Sequence, residues 1–316
     1  MSLVNIDPKT FSSLKGKVVV VLGATTGIGA SVVSQLTDAG AEVTWGDIAA
    51  PSTPDPRFVQ TDASSYASIL NLFKTARERH GGSKPIDHAV CNAGVSDVER
   101  FFTTDESDAA IEKEPATRTL DVNLKGPLFF LRIAAHFLRR REGEGEIKAE
   151  REGKGKGEEG ARSPSILLVS SNAGFIEFPG TYQYSASKHG VVGLFRSSKT
   201  FLLGAEGVRV NVVLPGLTRT PMTTAIVEPL QALGVACNEA EDVARVIIHA
   251  LAASHASGEA YYVSGGKAYE IEKGLQATRP QWLGEQLDRE TTIMQEAFAE
   301  QTISNHKLRK AGELKD

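Results

Sequence analysis

Cysteine is scarce in this sequence: Cys91 and Cys237 are the only two among 316 residues. A scaffold held together by several disulfide bonds is therefore excluded. The chain also contains no Asn-x-Ser/Thr glycosylation sequon, and its first residues lack the basic-then-apolar order of a signal peptide. These absences favour a cytoplasmic protein whose thiols stay reduced.

An excess of positive charge is lacking as well. Lys and Arg number 35 against 39 Asp and Glu, for a net charge of −4, so no basic field is present to recruit nucleic acid or an anionic membrane. No apolar run approaches the roughly 18 residues that span a bilayer. We therefore expect a small-molecule substrate, and neither a nucleic-acid nor a membrane partner.

The motifs of two common kinds of catalytic site are missing. The seven histidines form no H-x-x-x-H pair, and two cysteines are too few for a cysteine-rich zinc site, so no metal is expected. Ser171 follows an apolar run, but no G-x-S-x-G sequence surrounds it. This local sequence excludes the strand–turn–helix elbow of the serine hydrolases.

Hydrophobic residues make up 41% of the chain, which is enough for one large domain with a buried core. Short apolar runs alternate with longer segments of helical period. Strands rich in β-branched residues that alternate with helices form parallel sheets covered on both faces. The pattern therefore predicts a doubly wound, Rossmann-like α/β domain with a seven-stranded parallel sheet. The seven runs lie at residues 17–23, 41–45, 57–60, 87–94, 165–170, 208–216 and 260–266.

One segment interrupts this alternation. Residues 139–162 contain eight basic residues, seven acidic residues and six glycines, with no aromatic residue. Such a composition cannot bury enough apolar surface to offset the entropy lost on ordering. We therefore expect a charged, disordered insert at residues 139–163 within a domain that spans residues 1–266.

A second segment, residues 267–316, follows the last predicted strand. Its apolar residues recur on one helical stripe, which predicts a C-terminal helical extension. Two interpretations are open: the helix docks on the domain, or it forms a lid over a substrate pocket. The stripe consists of Leu283, Leu287, Met294 and Phe298.

The first apolar run leads into a turn with three glycines, Gly23, Gly27 and Gly29, and then into a helix. Glycines let the backbone approach a phosphate closely, and a helix N-terminus offers free N–H groups and a positive dipole end. The spacing G-x-x-x-G-x-G differs from the G-x-G-x-x-G fingerprint, and no Lys-Ser/Thr follows to make a P-loop. The turn predicts a dinucleotide site, with a purely structural turn as the alternative.

Asp47 follows the second apolar run by two residues, at the end of the predicted strand, where a carboxylate can accept hydrogen bonds from the adenosine ribose and repel a 2′-phosphate. No Arg or Lys occurs in residues 23–30 or directly after Asp47 to bind such a phosphate. NAD is therefore favoured over NADP, although Asp47 could also be a turn or cap residue. Asp62, after the third run, is expected either to cap the next helix or to lie near the adenine.

Tyr184 and Lys188 are four residues apart, so on a helix they share one face. A phenol ionises with a pKa of about 10 in water, and a neighbouring cation favours the phenolate. Hydride leaves an alcohol carbon only as the hydroxyl proton departs, which requires a base at that oxygen. The pair therefore predicts a proton acceptor that works near neutral pH.

Six motifs occur in an order that resembles the short-chain dehydrogenase/reductase family, over residues 17 to 266. Any one of them is weak, whereas six in register are specific. This resemblance implies a Rossmann fold, a nicotinamide cofactor and oxidoreductase activity. The motifs are GATTGIG (23–29), CNAG (91–94), DVNLKG (121–126), VSSNAG (169–174), YQYSASK (182–188) and LPGLTRTPM (214–222).

The resemblance implies a catalytic set of Asn123, Ser171, Tyr184 and Lys188. Ser171 would orient the substrate oxygen, and strand alternation would turn its neighbour Ser170 away. Lys188 would also bond the nicotinamide ribose, and Asn123 would hold a water that links Lys188 to solvent. The family places homo-oligomer contacts, in dimers or tetramers, on the long helices after Thr117 and Tyr182.

The same resemblance implies a set of cofactor-binding residues spread over the chain, to which Tyr184 and Lys188 also belong. Two positions depart from the family pattern: Leu22 stands where Thr is usual, and Cys91 where Asn is usual. We expect altered packing there, with a buried, unreactive Cys91. The remaining cofactor residues are Gly23, Thr25, Thr26, Gly27, Ile28, Gly29, Asp47, Ile48, Asp62, Ala63, Asn92, Ala93, Gly94, Pro215, Gly216, Thr218 and Thr220.

Three functions are compatible with these residues. The first is NAD-dependent interconversion of a secondary alcohol and a ketone, on a bulky hydrophobic or secondary-metabolite-like substrate because the residues after the strands are mostly apolar. The second is a cyclase, isomerase or dehydratase that uses the tyrosine as an acid without net redox chemistry. The third, a non-catalytic binding protein, is disfavoured because it would not need the complete catalytic set.

Overall fold

The computed structural model of the chain describes residues 1–82, 84–97, 101–102, 107–139 and 163–314. Most of the charged insert predicted at residues 139–163 lies outside these ranges. Nine strands are found, β1 (Ser2–Leu3), β2 (Val18–Leu22), β3 (Glu42–Asp47), β4 (Phe58–Gln60), β5 (His88–Cys91), β6 (Ser165–Val169), β7 (Arg209–Pro215), β8 (Ala260–Ser264) and β9 (Lys267–Glu270).

The helices of the described chain range from one turn to seven turns in length. They are α1 (Gly27–Asp38), α2 (Tyr66–Arg79), α3 (Asp108–Ile111), α4 (Arg118–Leu120), α5 (Gly126–Leu138), α6 (Tyr182–Glu206), α7 (Thr224–Ala232), α8 (Ala240–Ala252), α9 (Glu272–Leu283) and α10 (Glu285–Lys310). A π-helical turn, Asp121–Lys125, joins α4 to α5, and short 3-10 helices cover Pro8–Leu14 and Asn172–Gly174.

All strands belong to one sheet with the order β1-β9-β8-β7-β6-β5-β2-β3-β4. The seven strands from β8 to β4 run parallel, and each of them lies in one of the predicted apolar runs. The predicted doubly wound parallel sheet is therefore confirmed. The chain order reverses beside β2, whose neighbours are β3 and β5, and this crevice is where open α/β sheets bind ligands.

Two antiparallel strands extend the sheet beyond the seven that were predicted. β8 and β9 form a hairpin closed by Gly265 and Gly266, both with positive φ (56° and 74°), which is the backbone of a two-residue primed turn. β1 pairs with the outer edge of β9. The sheet therefore continues to Glu270, past the domain end that was predicted at residue 266.

Two hydrophobic clusters cover the two faces of the sheet, because successive side chains of a strand point to opposite sides. In β2, Val18, Val20 and Leu22 belong to the cluster that contains residues of α2, α5 and α6, while Val19 and Val21 belong to the cluster that contains residues of α1 and α8. Both faces of the central strands are therefore dry, and polar groups concentrate where the strands end.

Candidate functional site

The glycine turn between β2 and α1 is shaped by close backbone approach. Gly23 has a φ of 86°, and its N–H donates to the Gly46 carbonyl at 2.7 Å. A Cβ built on Gly23 would lie 2.4 Å from the Ala93 backbone, and one built on Gly29 would lie 1.9 Å from the Gly23 carbonyl oxygen. No larger residue fits at either position, so the turn brings the start of α1 tightly against the ends of β2 and β5.

The first turn of α1 keeps its N–H groups open toward this crevice. Thr26, the residue that precedes α1, makes no side-chain hydrogen bond to the helix within the described chain. Asn92 braces the turn instead, because its Nδ2 donates to the Gly23 carbonyl at 2.6 Å. Uncapped N–H groups beside closely packed glycines suit the pyrophosphate of a dinucleotide. The predicted cofactor residues Thr26 and Ile28 lie at this turn together with the glycines.

Asp47, at the end of β3, contacts the glycine turn directly. Its Oδ2 accepts from the Thr25 backbone N–H at 2.9 Å, and its Oδ1 accepts from the Ala49 N–H at 3.2 Å. Thr25 Oγ1 donates to the Ala49 carbonyl at 2.6 Å. Asp47 therefore has the structural role that the sequence left open, and it also brings a negative charge to the crevice next to the exposed Ile48.

Asp62 organises the turn before α2. Its Oδ1 accepts from the N–H and from the hydroxyl of Ser64, at 2.8 and 2.7 Å, while Ser65 provides the side-chain cap of the helix. Asp62 therefore does not cap α2, since Ser65 does, and its contacts lie in the turn before the helix. Its place near the adenine stays a prediction. The next residue, Ala63, is buried, and a Cβ on Gly126 would lie 2.5 Å from its carbonyl oxygen.

Asn123 holds the chain that leaves β5. It lies in the π-helical turn, a feature often found at functional sites, and it is fully buried. Its Oδ1 accepts from the Val95 N–H and its Nδ2 donates to the Val95 carbonyl, both at 2.8 Å. Through these two bonds the segment Asn92–Gly94 is fixed at the C-terminal edge of the sheet.

Tyr184 and Lys188 lie on one face of α6, as their spacing predicts. Lys188 is 4% exposed, its Nζ donates to the Val169 carbonyl at 3.2 Å, and the same Nζ lies 5.6 Å from the centre of the Tyr184 ring. A Cβ built on Gly94 would lie 3.4 Å from both Lys188 Nζ and Asn123 Oδ1. Because Gly94 has no side chain, a space remains there, and Lys188 Nζ and Asn123 Oδ1 converge on it.

Ser171 follows β6 at the same edge of the sheet. Its Oγ donates to Asn172 Oδ1 at 3.0 Å and accepts from the Ala173 N–H at 3.2 Å. Ser170 points elsewhere, because its Oγ donates to the Lys188 backbone carbonyl at 2.8 Å. The prediction that Ser170 turns away is confirmed. Its bond also fixes the turn of α6 that carries the lysine.

The segment after β7 is held by a residue that the sequence gave no reason to select. Asn238 is fully buried, and its Nδ2 donates to Thr218 Oγ1 and to the Val263 carbonyl, at 3.2 and 3.0 Å. Its Oδ1 accepts from the Gly266 N–H at 2.9 Å. Gly216 and Thr218 are thereby tied to β8 and to the hairpin beyond it.

The rest of this segment lies close to the glycine turn. Pro215 ends β7, and Gly216 packs so closely that a Cβ would lie 3.0 Å from the Val263 carbonyl oxygen. Thr220 would be 3.2 Å from a Cβ on Gly27, and its hydroxyl contacts Thr223 at 3.1 Å. The segments that contain the predicted cofactor residues therefore meet around one crevice.

A second residue without a sequence signal is Asp97, in the loop after β5. Its Oδ1 accepts from the backbone N–H of Tyr184 at 2.8 Å. Tyr184 is the third residue of α6, and the preceding Thr181 makes no capping bond to that helix in the part of the chain that the structure describes. Asp97 therefore supplies from a distant loop the acceptor that an N-cap side chain normally provides.

The two departures from the family pattern are confirmed as packing residues. Leu22 and Cys91 are buried in the sheet next to the site. Burial raises the pKa of the Cys91 thiol to about 12, so this thiol stays protonated at neutral pH and is a poor nucleophile. Among the described residues, no three His, Cys, Asp or Glu side chains form a metal-binding group.

Exposed large apolar side chains, here called the apolar rim, lie between β6 and α6, at the start of α6 and in the segment after β7. Ile176, Phe178 and Met222 are all 40–49% exposed. Tyr182, the first residue of α6, is 47% exposed, and its ring packs edge-to-face against that of Phe102 with centroids 4.7 Å apart. The segments after β6 and β7 leave the sheet at the edge where open α/β sheets bind ligands.

Comparison with known proteins agrees with this geometry. The sequence model of the family described as short chain dehydrogenase matches residues 17–147 and 158–231. The chain is 31% identical over 280 residues to the short-chain dehydrogenase/reductase ascJ of Acremonium egyptiacum, covering 87% of each protein. It is 32% identical over 265 residues to a 3-alpha-(or 20-beta)-hydroxysteroid dehydrogenase of Mycobacterium tuberculosis, covering 80% of this chain and 90% of that protein.

Solved structures include a similar chain, the aldohexose dehydrogenase of Thermoplasma acidophilum in its ligand-free form. It aligns with a TM-score of 0.61 at 25% identity and covers 81% of this chain and 95% of its own. The described helices include none that is both long and apolar enough to cross a membrane. Since the family model matches more than half of the residues, the chain belongs to the short-chain dehydrogenase family, whose members are oxidoreductases that act on CH–OH groups with a nicotinamide cofactor.

Proposed function

We propose that the protein is an NAD(H)-dependent oxidoreductase that interconverts a secondary alcohol and a ketone. The observation that carries the proposal is the convergence of Lys188 and Asn123 around Gly94, with the Tyr184 ring 5.6 Å from Lys188 Nζ. Burying an ammonium costs free energy, and groups of this kind are concentrated at functional sites. Proton transfer to and from an alcohol oxygen is the task that this arrangement suits.

Each residue of the set has a distinct role in this proposal. The Lys188 ammonium stabilises the phenolate form of Tyr184, which accepts the hydroxyl proton of the alcohol and becomes a neutral phenol. Ser171 donates a hydrogen bond that orients the substrate oxygen. Asn123 holds the chain beneath Gly94, and its second Nδ2 hydrogen remains for a water on the path of the proton to solvent. When bound, the nicotinamide supplies the acceptor or donor of the hydride.

Replacing the phenol tests this assignment. Tyr184→Phe keeps the ring and removes the proton acceptor, so turnover falls by roughly 10²- to 10⁴-fold while cofactor affinity stays nearly constant. Tyr269→Phe, which removes a hydroxyl from β9, is the matched control and retains turnover. Loss of cofactor affinity and turnover together in Tyr184→Phe would mean that this residue is structural and would refute the assignment.

The preference for NAD over NADP is supported by the charge at the end of β3. Asp47 lies against the glycine turn through its bond to Thr25, and a carboxylate there repels the 2′-phosphate of NADP. We expect kcat/KM to be at least roughly tenfold higher with NAD, a difference of about 1.4 kcal/mol. Asp47→Ser narrows this ratio; an unchanged ratio in that variant would contradict the role of Asp47.

A bulky hydrophobic alcohol is the substrate class that the apolar rim supports. Ile176, Phe178, Tyr182 and Met222 offer few hydrogen-bonding groups for a sugar, and one relative is named a hydroxysteroid dehydrogenase. Initial rates over a panel of polycyclic alcohols, with an aldohexose as the polar comparison, test this class. Faster turnover of the sugar would overturn it.

The same assay separates the proposal from a non-redox function. If a substrate is rearranged or dehydrated and no reduced nicotinamide accumulates, the protein is a cyclase, isomerase or dehydratase on this fold. The free thiols of Cys91 and Cys237 support a reducing compartment, and we place the reaction in the cytoplasm. Fractionation of cells with an antibody against the protein tests that location.

A further inference from the structure

The first turn of α6 carries Tyr184 but buries no side chain. The helix begins at Tyr182, and its buried residues begin only at Ser187. A helical turn without buried apolar surface is held mainly by its hydrogen bonds, so it frays more readily than the helix behind it. The position of Tyr184 therefore depends on the hydrogen bonds that this turn makes.

Lys188, one turn further along α6, is fixed by the sheet. It is 4% exposed, its Nζ donates to the Val169 carbonyl at 3.2 Å, and its backbone carbonyl accepts from Ser170 Oγ at 2.8 Å. Val169 ends β6, and Ser170 follows it. The lysine is thus held in place independently of the first turn. The member of the pair whose position can vary is Tyr184.

Two hydrogen bonds reach the first turn of α6 from other parts of the described chain. Gln183 Nε2 donates to the Ala116 carbonyl at 2.8 Å, and this bond involves only the side chain of the helix residue. Asp97 Oδ1 accepts from the backbone N–H of Tyr184, also at 2.8 Å. That N–H is one of the groups that a helix start leaves without an intrahelical partner. The contact with Asp97 therefore acts directly on the backbone of the tyrosine.

The loop that carries Asp97 is itself held close to the site. Val95 makes two bonds to Asn123 at 2.8 Å, and the Ser96 carbonyl accepts from Thr119 Oγ1 at 3.3 Å. Three successive residues of the loop are thus bonded to the π-helical turn, to α4 and to α6. Asp97 is half-buried in this arrangement. Its carboxylate is therefore a placed acceptor for α6.

A second contact joins the same loop to the start of α6. The rings of Phe101 and Phe102 lie with their centroids 5.8 and 4.7 Å from the centroid of the Tyr182 ring. This packing and the bonds of Val95 do not involve the Asp97 side chain. A substitution of Asp97 therefore removes the bond to Tyr184 and leaves the other contacts of the loop in place.

We propose that Asp97 is a positioning residue for the proton acceptor. By accepting from the Tyr184 N–H, it keeps the first turn of α6 helical and holds the phenol in a fixed position relative to the anchored Lys188 ammonium. The role rests on the proposed function, since it concerns the residue that accepts the proton. It requires the acceptor oxygen of Asp97 and not its negative charge, because an amide oxygen caps a helix as well as a carboxylate does.

Steady-state kinetics of Asp97→Ala test this role. We expect kcat to fall at least roughly fivefold, because a misplaced catalytic group slows the chemical step. The KM for the alcohol should change less than about twofold, since the lost contact is not one to the substrate. Asp97→Asn keeps an acceptor oxygen and retains most of kcat. Gln183→Ala is the matched control: it removes the other bond to the same turn, does not affect the Tyr184 N–H, and retains kcat.

Hydrogen exchange supplies a measurement that needs no turnover. In Asp97→Ala the amides of Tyr184 and Ser185 should exchange at least roughly tenfold faster, because the first turn has lost its cap. The amide of Lys188, in the anchored second turn, should exchange at its original rate. Thermal unfolding well above the assay temperature verifies that each variant is folded.

Three results would each overturn the role of Asp97. They are an unchanged kcat in Asp97→Ala, an equal loss of kcat in Gln183→Ala, and unchanged exchange of the Tyr184 and Ser185 amides in Asp97→Ala. Failure of the proposed function has a different signature. The unmodified chain would then form no reduced nicotinamide with any alcohol of the panel, and hydrogen exchange would still decide whether Asp97 holds the backbone of Tyr184.

Discussion

The two hydrogen bonds of Asn123 allow a prediction that separates structure from catalysis. In Asn123→Ala, the N–H and the carbonyl of Val95 lose their partners at 2.8 Å. Asn211 offers a matched control, because its Oδ1 accepts from the Glu259 N–H at 3.0 Å and its Nδ2 donates to the Ala256 carbonyl at 2.9 Å. Both asparagines are buried, at 0% and 1% exposure. The two variants thus remove the same pair of bonds at different places.

The cost of each variant follows from the groups that it leaves unpaired. A buried backbone group without a hydrogen-bond partner costs about 1–3 kcal/mol. Asn123→Ala leaves two such groups and loses roughly 2–4 kcal/mol once local relaxation is allowed for. Asn211→Ala loses roughly 1–3 kcal/mol, because Arg209 Nη1 still donates to the Ala256 carbonyl at 2.6 Å. The melting temperature falls by several degrees in both. Only Asn123→Ala also frees the segment Asn92–Gly94. This segment borders the candidate site, because a Cβ on Gly94 would contact both Asn123 and Lys188.

Differential scanning fluorimetry measures the melting temperatures of the variants. Initial rates are then measured at a temperature well below both unfolding transitions. We expect a loss of stability in both variants, with turnover reduced at least roughly tenfold in Asn123→Ala and retained in Asn211→Ala. Equal turnover in the two folded variants at this temperature would refute the inference that Asn123 acts on the site beyond its structural bonds.

Three further predictions concern the glycine turn, the start of α6 and the C-terminal helices. Gly29→Ala abolishes cofactor-induced thermal stabilisation, because its Cβ would lie 1.9 Å from the Gly23 carbonyl oxygen, whereas Gly193→Ala, with no atom within 4 Å, retains it. Asp97→Ala lowers kcat more than it raises KM, and Asp97→Asn, which keeps the acceptor oxygen, restores most of the rate. Burial raises the pKa of Glu272, but its hydrogen bond to a guanidinium and the charge of a lysine outweigh this and hold the pKa below its usual value. The stability from this pairing is therefore present above about pH 4.3 and is lost as the pH falls through the lower folded-state pKa. Protection factors of the α9 amides, corrected for the intrinsic exchange rate at each pH, should fall at acidic pH; unchanged protection would contradict the prediction.

The parts of the site that the sequence predicted correctly depend on local geometry. Tyr184 and Lys188 share a face because a helix repeats every 3.6 residues, and the glycine turn follows from the backbone freedom that Gly23 alone provides at its positive φ. The seven parallel strands were recognisable because a strand buried on both faces needs a continuous apolar run.

Other features depend on which distant segments meet. Asp97 contacts the backbone of Tyr184 across 87 residues, and Asn238 contacts Thr218 across 20 residues and Val263 across 25. A lone Asp or Asn in a loop has no periodic pattern that predicts such contacts. One local signal was available for the missed strand: the Gly265–Gly266 pair is typical of a two-residue hairpin turn.

The C-terminal helices illustrate the limit most clearly. Periodicity identified one apolar stripe of Leu283, Leu287, Met294 and Phe298, and an apolar stripe usually faces the core. The structure places Leu283 at the end of α9 and leaves the other three residues exposed on α10. Glu272 of α9 pairs with Arg196 of α6, and Lys310 of α10 pairs with Glu206 of α6, so these helices dock by their polar side. Which face of an amphipathic helix docks depends on the surfaces available to it.

The amino-acid sequence by itself determined the order of strands and helices, the glycine turn and the shared face of the tyrosine and the lysine. These depend on backbone preferences and on periodicities that act within about ten residues. Only the tertiary structure decided that Asn123 and Lys188 meet beside Gly94 and that Asp97 caps α6 at Tyr184. It also decided that α10 presents its apolar side to solvent. Such contacts arise from the joint packing of segments far apart in the chain, and a one-dimensional pattern does not contain that packing.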